Sequence, residues 1–161
     1  MKRLLLLLPV LLVTAVLDGG QSINALQSLI PTPVAQANSK PANVGGPLSQ
    51  ELQNQPVVVD MFATWCAGCQ NIKPTLTQLR QRYQGKVNFV VFDVSDKKTA
   101  QAAETQAQKM GLGQYFAKTK SQTSTVAIID PRTGNILAQY KNNPRLEDYT
   151  QVLDAALAKS K

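Results

Sequence analysis

The chain contains no histidine. That absence removes serine–histidine and cysteine–histidine hydrolase mechanisms and every histidine metal site. Cysteine is nearly as scarce, with only Cys66 and Cys69. Two thiolates are half of a tetrahedral zinc shell, and no third cysteine or histidine completes it, so a metal would have to bridge two copies. A structural staple is a weak explanation too, because closing so short a loop removes only about 2 kcal/mol of unfolded-state entropy. Redox work is the remaining use of the pair. Aromatics are few, at 6%. The net charge of +7 comes from 17 basic against 10 acidic residues, but the lysines and arginines are scattered and no aromatic-rich RNA-binding motif accompanies them. They describe a solvated surface suited to acidic protein partners, with no nucleic-acid partner expected. Neither a phosphate-cradling glycine loop nor an internal repeat is present.

What is there divides into three stretches. Met1-Lys2-Arg3 and the apolar run at 4–17 have the form of an export signal, too short for the roughly 20 residues of a spanning helix. Ala35-Gln36-Ala37 resembles a cleavage site, so residues 1–37 are expected to be a signal or, uncleaved, a membrane tether acting through residues 4–17. Either way the domain is expected in a periplasm or equivalent lumen, where disulfides persist. Residues 38–48 are polar and rich in glycine and proline, which predicts a flexible linker. Residues 49–161 form the expected domain, with an apolar content ordinary for a single core.

Within that domain the chemistry concentrates at Phe62-Ala63-Thr64-Trp65-Cys66-Ala67-Gly68-Cys69. Val57, Val58, Val59 and Asp60 precede it as a buried strand, and Ile72, Leu76, Leu79 and Tyr83 follow at helical spacing. The first cysteine therefore falls at a helix N-terminus, where unpaired N–H groups and the macrodipole favour a thiolate, and the second lies one turn in, within disulfide reach. One sulfur can attack and the other can resolve. Downstream, residues 87–94 read as a strand buried on both faces, and Asp96 caps a helix over 97–110. Residues 112–123 read as a long loop near the cysteines, a candidate for gripping substrate. Strands at 125–130 and 136–141 form a hairpin through Pro131-Arg132-Thr133-Gly134, and a last helix opens near Asn143-Pro144.

Strand, aspartate, aromatic, Trp65-Cys66-x-x-Cys69 and a proline inside the helix (Pro74) together resemble the thioredoxin family, from about Gln55 to about Lys159. The resemblance implies an α/β thioredoxin-like fold, a central mixed sheet of about four strands flanked by helices. It also implies thiol–disulfide exchange, with Cys66 as nucleophile, Cys69 as resolving thiol and Asp60 relaying protons to Cys69. Trp65, Ala67, Gly68, Ser124 and Thr125 fall where the family meets its substrates. The expected partners are protein thiols and disulfides and an unidentified electron donor, with a monomeric chain and no cofactor. Two departures stand out: Ser124 occupies the position of the family's cis-proline, and Val91 stands where many members carry a lysine near the aspartate. Ala67 and Gly68 offer the thiolate no side-chain donor, which favours a reducing poise. The alternative is a thioredoxin-fold binding or assembly module whose cysteines are only a staple.

Overall fold

The structure, a computed structural model, describes residues 42–159. The expected export segment 1–37 and residues 38–41 lie outside the described residues. Among those described, no helix is long and apolar enough to cross a membrane.

The β-branched run after Pro56 forms β1 (Val57–Phe62), and the helical repeat after Cys66 forms α1 (Ala67–Arg82). The following elements are β2 (Asn88–Asp93), α2 (Lys97–Lys109), α3 (Gly113–Thr119), β3 (Thr125–Asp130), β4 (Asn135–Lys141) and α4 (Leu146–Lys159). The sheet order is β2-β1-β3-β4, with β1 parallel to β2 and antiparallel to β3, and β3 antiparallel to β4. This is the mixed four-stranded sheet expected. Because alternate side chains leave opposite faces of a strand, β1 serves two cores. Val57, Val59 and Met61 join Phe92, Phe116, Leu112 and Ile129 on one face. Val58 joins Ile72, Leu79, Ile128, Tyr149 and Leu153 on the other, against α1 and α4.

Three expectations are corrected. The expected linker ends earlier than residue 48, because Val44 and Leu48 are buried in the first core and the backbone around them is tied to the hairpin by Val44 N–H to Gly134 O and Leu48 N–H to Pro131 O, both 2.9 Å. Asn43 pairs with Asn135 and its side chain accepts from the N–H groups of Gly45 and Gly46. Glycine-rich composition hid two core anchors. Residues 112–123 are not a long loop: they hold α3, whose Leu112, Tyr115, Phe116 and Thr119 recur at helical spacing and are all buried. With Tyr115 and Phe116 inside the core, their side chains are unavailable to grip a partner. Finally, β2 is an edge strand, so Phe89 and Val91 are only half-buried where burial on both faces was expected.

Other local expectations match their elements. Asp96 accepts from Thr99 N–H at 2.9 Å in a reciprocal capping box. Pro74 lies inside α1, and the neighbouring Thr75 hydroxyl donates to Pro144 O at 2.7 Å, fastening α1 to the approach of α4. The last helix starts at Leu146, beyond the expected Asn143-Pro144 opening, after Asn143 Oδ1 has accepted from Arg145 N–H.

Candidate active site

β1 ends at Phe62, and the chain turns through Ala63, Thr64 and Trp65 before Cys66 caps α1 in an extended conformation. Its sulfur accepts from Cys69 N–H at 3.1 Å. Cys66 and Cys69 are joined as a disulfide, with Cα atoms 5.3 Å apart. The pair sits low in the surface: Cys66 is 7% exposed and Cys69 3%, so the greater exposure expected of the first sulfur is small. Cys69 Sγ lies 3.8 Å from Met61 O, beneath the strand end.

The turn before Cys66 is held from β2. Ser95 Oγ donates to Asp93 Oδ1 at 2.5 Å and accepts from Thr64 N–H at 2.8 Å. Ser95 O accepts from the Trp65 indole N–H at 2.9 Å. Trp65 is thereby pinned by its nitrogen and leaves 67% of itself in water. An indole fixed at one edge and bare elsewhere is unusual on a solvated surface and suits contact with another molecule. Asp93 and Ser95 were not among the sequence candidates. Their signal is faint, an Asp-x-Ser that begins on the last residue of a strand.

On the β3 side the fit is close. A side-chain carbon on Gly68 would lie 2.8 Å from Ser124 Oγ and 2.9 Å from Ser124 Cβ, which explains why position 68 carries glycine. Ser124 has φ of 61°, and its N–H donates to Met61 O at 2.8 Å. Its carbonyl accepts from Asn142 N–H at 2.9 Å, and Asn142 is itself left-handed, with φ of 49°. Asn71 Nδ2 donates to Asn142 Oδ1 at 2.9 Å, adding an exposed pair of carboxamides that sequence reasoning missed. Two substrate-binding expectations change here. The Ser124 side chain is buried against Gly68, and Thr125 is 1% exposed, paired with Met61 in register and so facing the α2–α3 core. Neither hydroxyl is presented to a partner. Ala67 remains exposed and Gly68 half-buried.

On the β2 side the fit is loose. Asp60 is 6% exposed, and its Oδ1 has no hydrogen-bond partner among the described residues. Burial pushes its carboxyl up from 3.8 to about 6, against the opposing pull of the Arg80 guanidinium. Val91, its register partner on β2, brings no charge. The cation comes from α1 instead, as Arg80 stands with its guanidinium 5.8 Å from the centre of the Phe89 ring. No cluster suited to a metal occurs among the described residues.

A family model described as Thioredoxin matches residues 43–139. The chain belongs to the thioredoxin family. It is 40% identical over 53 residues to the thiol:disulfide interchange protein TxlA homolog of Synechocystis sp., covering 32% of this chain and 29% of that protein. It is 38% identical over 56 residues to the chloroplastic thioredoxin-like protein HCF164 of Arabidopsis thaliana, covering 34% and 22%. Against horse thioredoxin the figures are 42% over 62 residues, 38% of this chain and 57% of the other. The matched stretches thus span between about a fifth and under three fifths of these relatives' length. Among solved structures, a thioredoxin-family thiol:disulfide interchange protein from Chlorobium tepidum aligns over 75% of this chain and 99% of its own, at 18% identity and a TM-score of 0.49.

Proposed function

We propose that this thioredoxin-family chain is a thiol–disulfide oxidoreductase that reduces protein disulfides outside the cytoplasm. The observation that carries the reading is the Cys66–Cys69 disulfide at the N-cap of α1, with Cys69 N–H aimed at Cys66 Sγ. A donor already directed at that sulfur stabilises the thiolate once the bond is reduced, and the helix terminus adds to it. Cys66 attacks a partner disulfide to form a mixed disulfide. Cys69 then displaces the reduced partner and closes the internal bridge, with Asp60 taking the Cys69 proton. A carboxyl held near 6 by burial is poised for that transfer around neutral pH. Trp65, Ala67, Gly68 and the backbone of the Ser124 turn form the docking rim, and the Asn71–Asn142 pair extends it. With no side-chain donor from Ala67 or Gly68, the poise is reducing.

The form of residues 1–37 supports a compartment outside the cytoplasm, and the Arabidopsis relative is itself an organellar, chloroplastic protein. We take residues 1–37 as export signal or tether and the chain as a monomer recycled by a separate electron donor. Turnover of insulin disulfides with dithiothreitol as reductant tests the activity. Cys66→Ser should fall to background, whereas Cys69→Ser should accumulate covalent partners released by reductant. A Cys66→Ser protein with parental turnover refutes the reading, and a potential close to that of strong periplasmic oxidants, titrated against glutathione, refutes its direction.

A further inference from the structure

Beside Asp60 a pocket of about 250 Å³ opens between α1 and β2, lined among others by Cys69, Lys73, Thr77, Arg80 and Val91. It holds a buried carboxyl oxygen without a protein hydrogen bond among the described residues, and a recess of that size with such a group in it has room for water. Its rim is Lys73, Thr77 and Arg80, all exposed on α1. None of the residues of the docking rim lines it. Cys69 therefore borders both the disulfide face and this recess.

We propose that the recess is a proton port: water in it carries the Cys69 proton from Asp60 to bulk solvent while a docked partner covers the Trp65–Ser124 side. This rests on the exchange chemistry proposed above. In the resolving step the Asp60 carboxylate takes the proton of the Cys69 thiol. The thiolate attacks Cys66 Sγ, the Cys66–Cys69 bond forms, and the bond from Cys66 to the partner sulfur breaks. The partner sulfur leaves with the electron pair and is protonated by water, so the partner is reduced and the cysteine pair oxidised. Before the thiolate attacks, the proton on Asp60 can return to the Cys69 sulfur, and the partner still bound to Cys66 blocks the front, so exit through the recess is what commits resolution.

The groups facing Asp60 fit that role. α1 contributes Lys73 and Arg80 at the mouth, and α4 contributes Tyr149, whose hydroxyl donates to Asn143 O at 2.8 Å. β2 and β3 contribute Val91 and Val126, neither ionisable. Cations at the mouth favour the ionised carboxylate and so drive the proton outward. The Arg80 guanidinium is held over the Phe89 ring at the rim.

Thr77→Trp fills the mouth from α1, Val91→Phe fills it from β2, and Gln78→Trp adds bulk to α1 at a position that does not line the recess. Reduced protein is mixed with excess insulin at pH 7, and attack and resolution are followed as separate phases. Both plugs should slow resolution about tenfold or more and leave attack unchanged, and Gln78→Trp should change neither. Carbon-13 NMR of the oxidised proteins should show the Asp60 carboxyl titrating at higher pH in each plugged variant. If Asp60→Asn resolves slowly while both plugs resolve at the parental rate with Asp60 titrating unchanged, the port is overturned and the general base stands. If Asp60→Asn resolves at the parental rate, the base assignment falls and takes the port with it.

Discussion

The two faces of β1 are built to different rules. Toward α2 and α3, Val57, Val59 and Met61 meet Phe92, Phe116, Leu112 and Ile129 in a core without a carboxyl or basic group, and Phe92 and Phe116 pack edge to face at 5.4 Å between ring centres. Toward α1 and α4, the same strand places Asp60 between Val58 and Phe62 and leaves a recess beside it. One face maximises burial of apolar surface. The other gives up packing and charge solvation to keep a carboxyl next to Cys69. Fold stability and chemistry are thus divided between alternate residues of one six-residue strand.

The sharpest way to break this contrast is to cut each face and compare. Phe116→Ala on the closed face should lower stability by about 3–5 kcal/mol, as expected for a fully buried aromatic whose site cannot collapse. Insulin reduction by the fraction still folded should be unchanged. Urea unfolding checks the first expectation, and turnover per folded molecule checks the second. A loss under about 1 kcal/mol would mean that the closed face is not the stability reservoir.

Neutralising the other face should act in the opposite sense. Moving a carboxyl from 3.8 to about 6 by burial costs the folded state about 3 kcal/mol once the group is ionised. The folded protein holds that proton to higher pH than the unfolded chain does. Stability therefore falls as pH rises from about 4 through about 6, and the full cost is present above that window. Asp60→Asn should remove most of this slope and be more stable than the parent at pH 8, by as much as about 3 kcal/mol, while resolving mixed disulfides more slowly. Parallel slopes in parent and variant between pH 4 and 7, measured by urea unfolding of the oxidised forms, would place Asp60 in a more solvated setting.

The face carrying the chemistry was also the more legible one in the sequence. Cys66 and Cys69 one turn apart, Asp60 in a β-branched run and Trp65 before the pair are local features, and strand and helix periods suffice to place them together. What escaped detection depends on contacts between distant segments. Val44 and Leu48 become core residues only because the hairpin turn at Pro131 and Gly134 accepts their backbone, and nothing in a glycine-rich stretch announces that. Tyr115 and Phe116 lie in a stretch that reads as a loop, yet with Leu112 and Thr119 they keep the helical period that buries α3. It is the family resemblance that assigns Ser124 and Thr125 to the substrate side. The register of β3 against β1 decides which way each side chain turns, and register is not written in a single strand.

The smallest expected effect probes the contrast within the chemical face, between the close fit at Gly68 and the open recess at Asp60. Gly68→Ala puts a carbon within 3 Å of both Ser124 Oγ and Cβ, closer than packed atoms settle, so α1 or the Ser124 turn has to shift. Overpacking of this kind costs about 1–3 kcal/mol, partly offset because alanine is the better helix former. Ser124→Gly removes both offending atoms and accepts φ of 61° without strain. The two substitutions should therefore couple by about 1 kcal/mol in a double-mutant cycle, with Gly68→Ala less destabilising when Ser124 is already glycine. Thr77→Ala, at the rim of the recess, serves as the distant comparison and should add independently to Gly68→Ala. Additivity within about 0.3 kcal/mol for the Gly68–Ser124 pair as well would mean that the turn yields freely, and the small residue between the two cysteines would then need another reason than the side chain across from it.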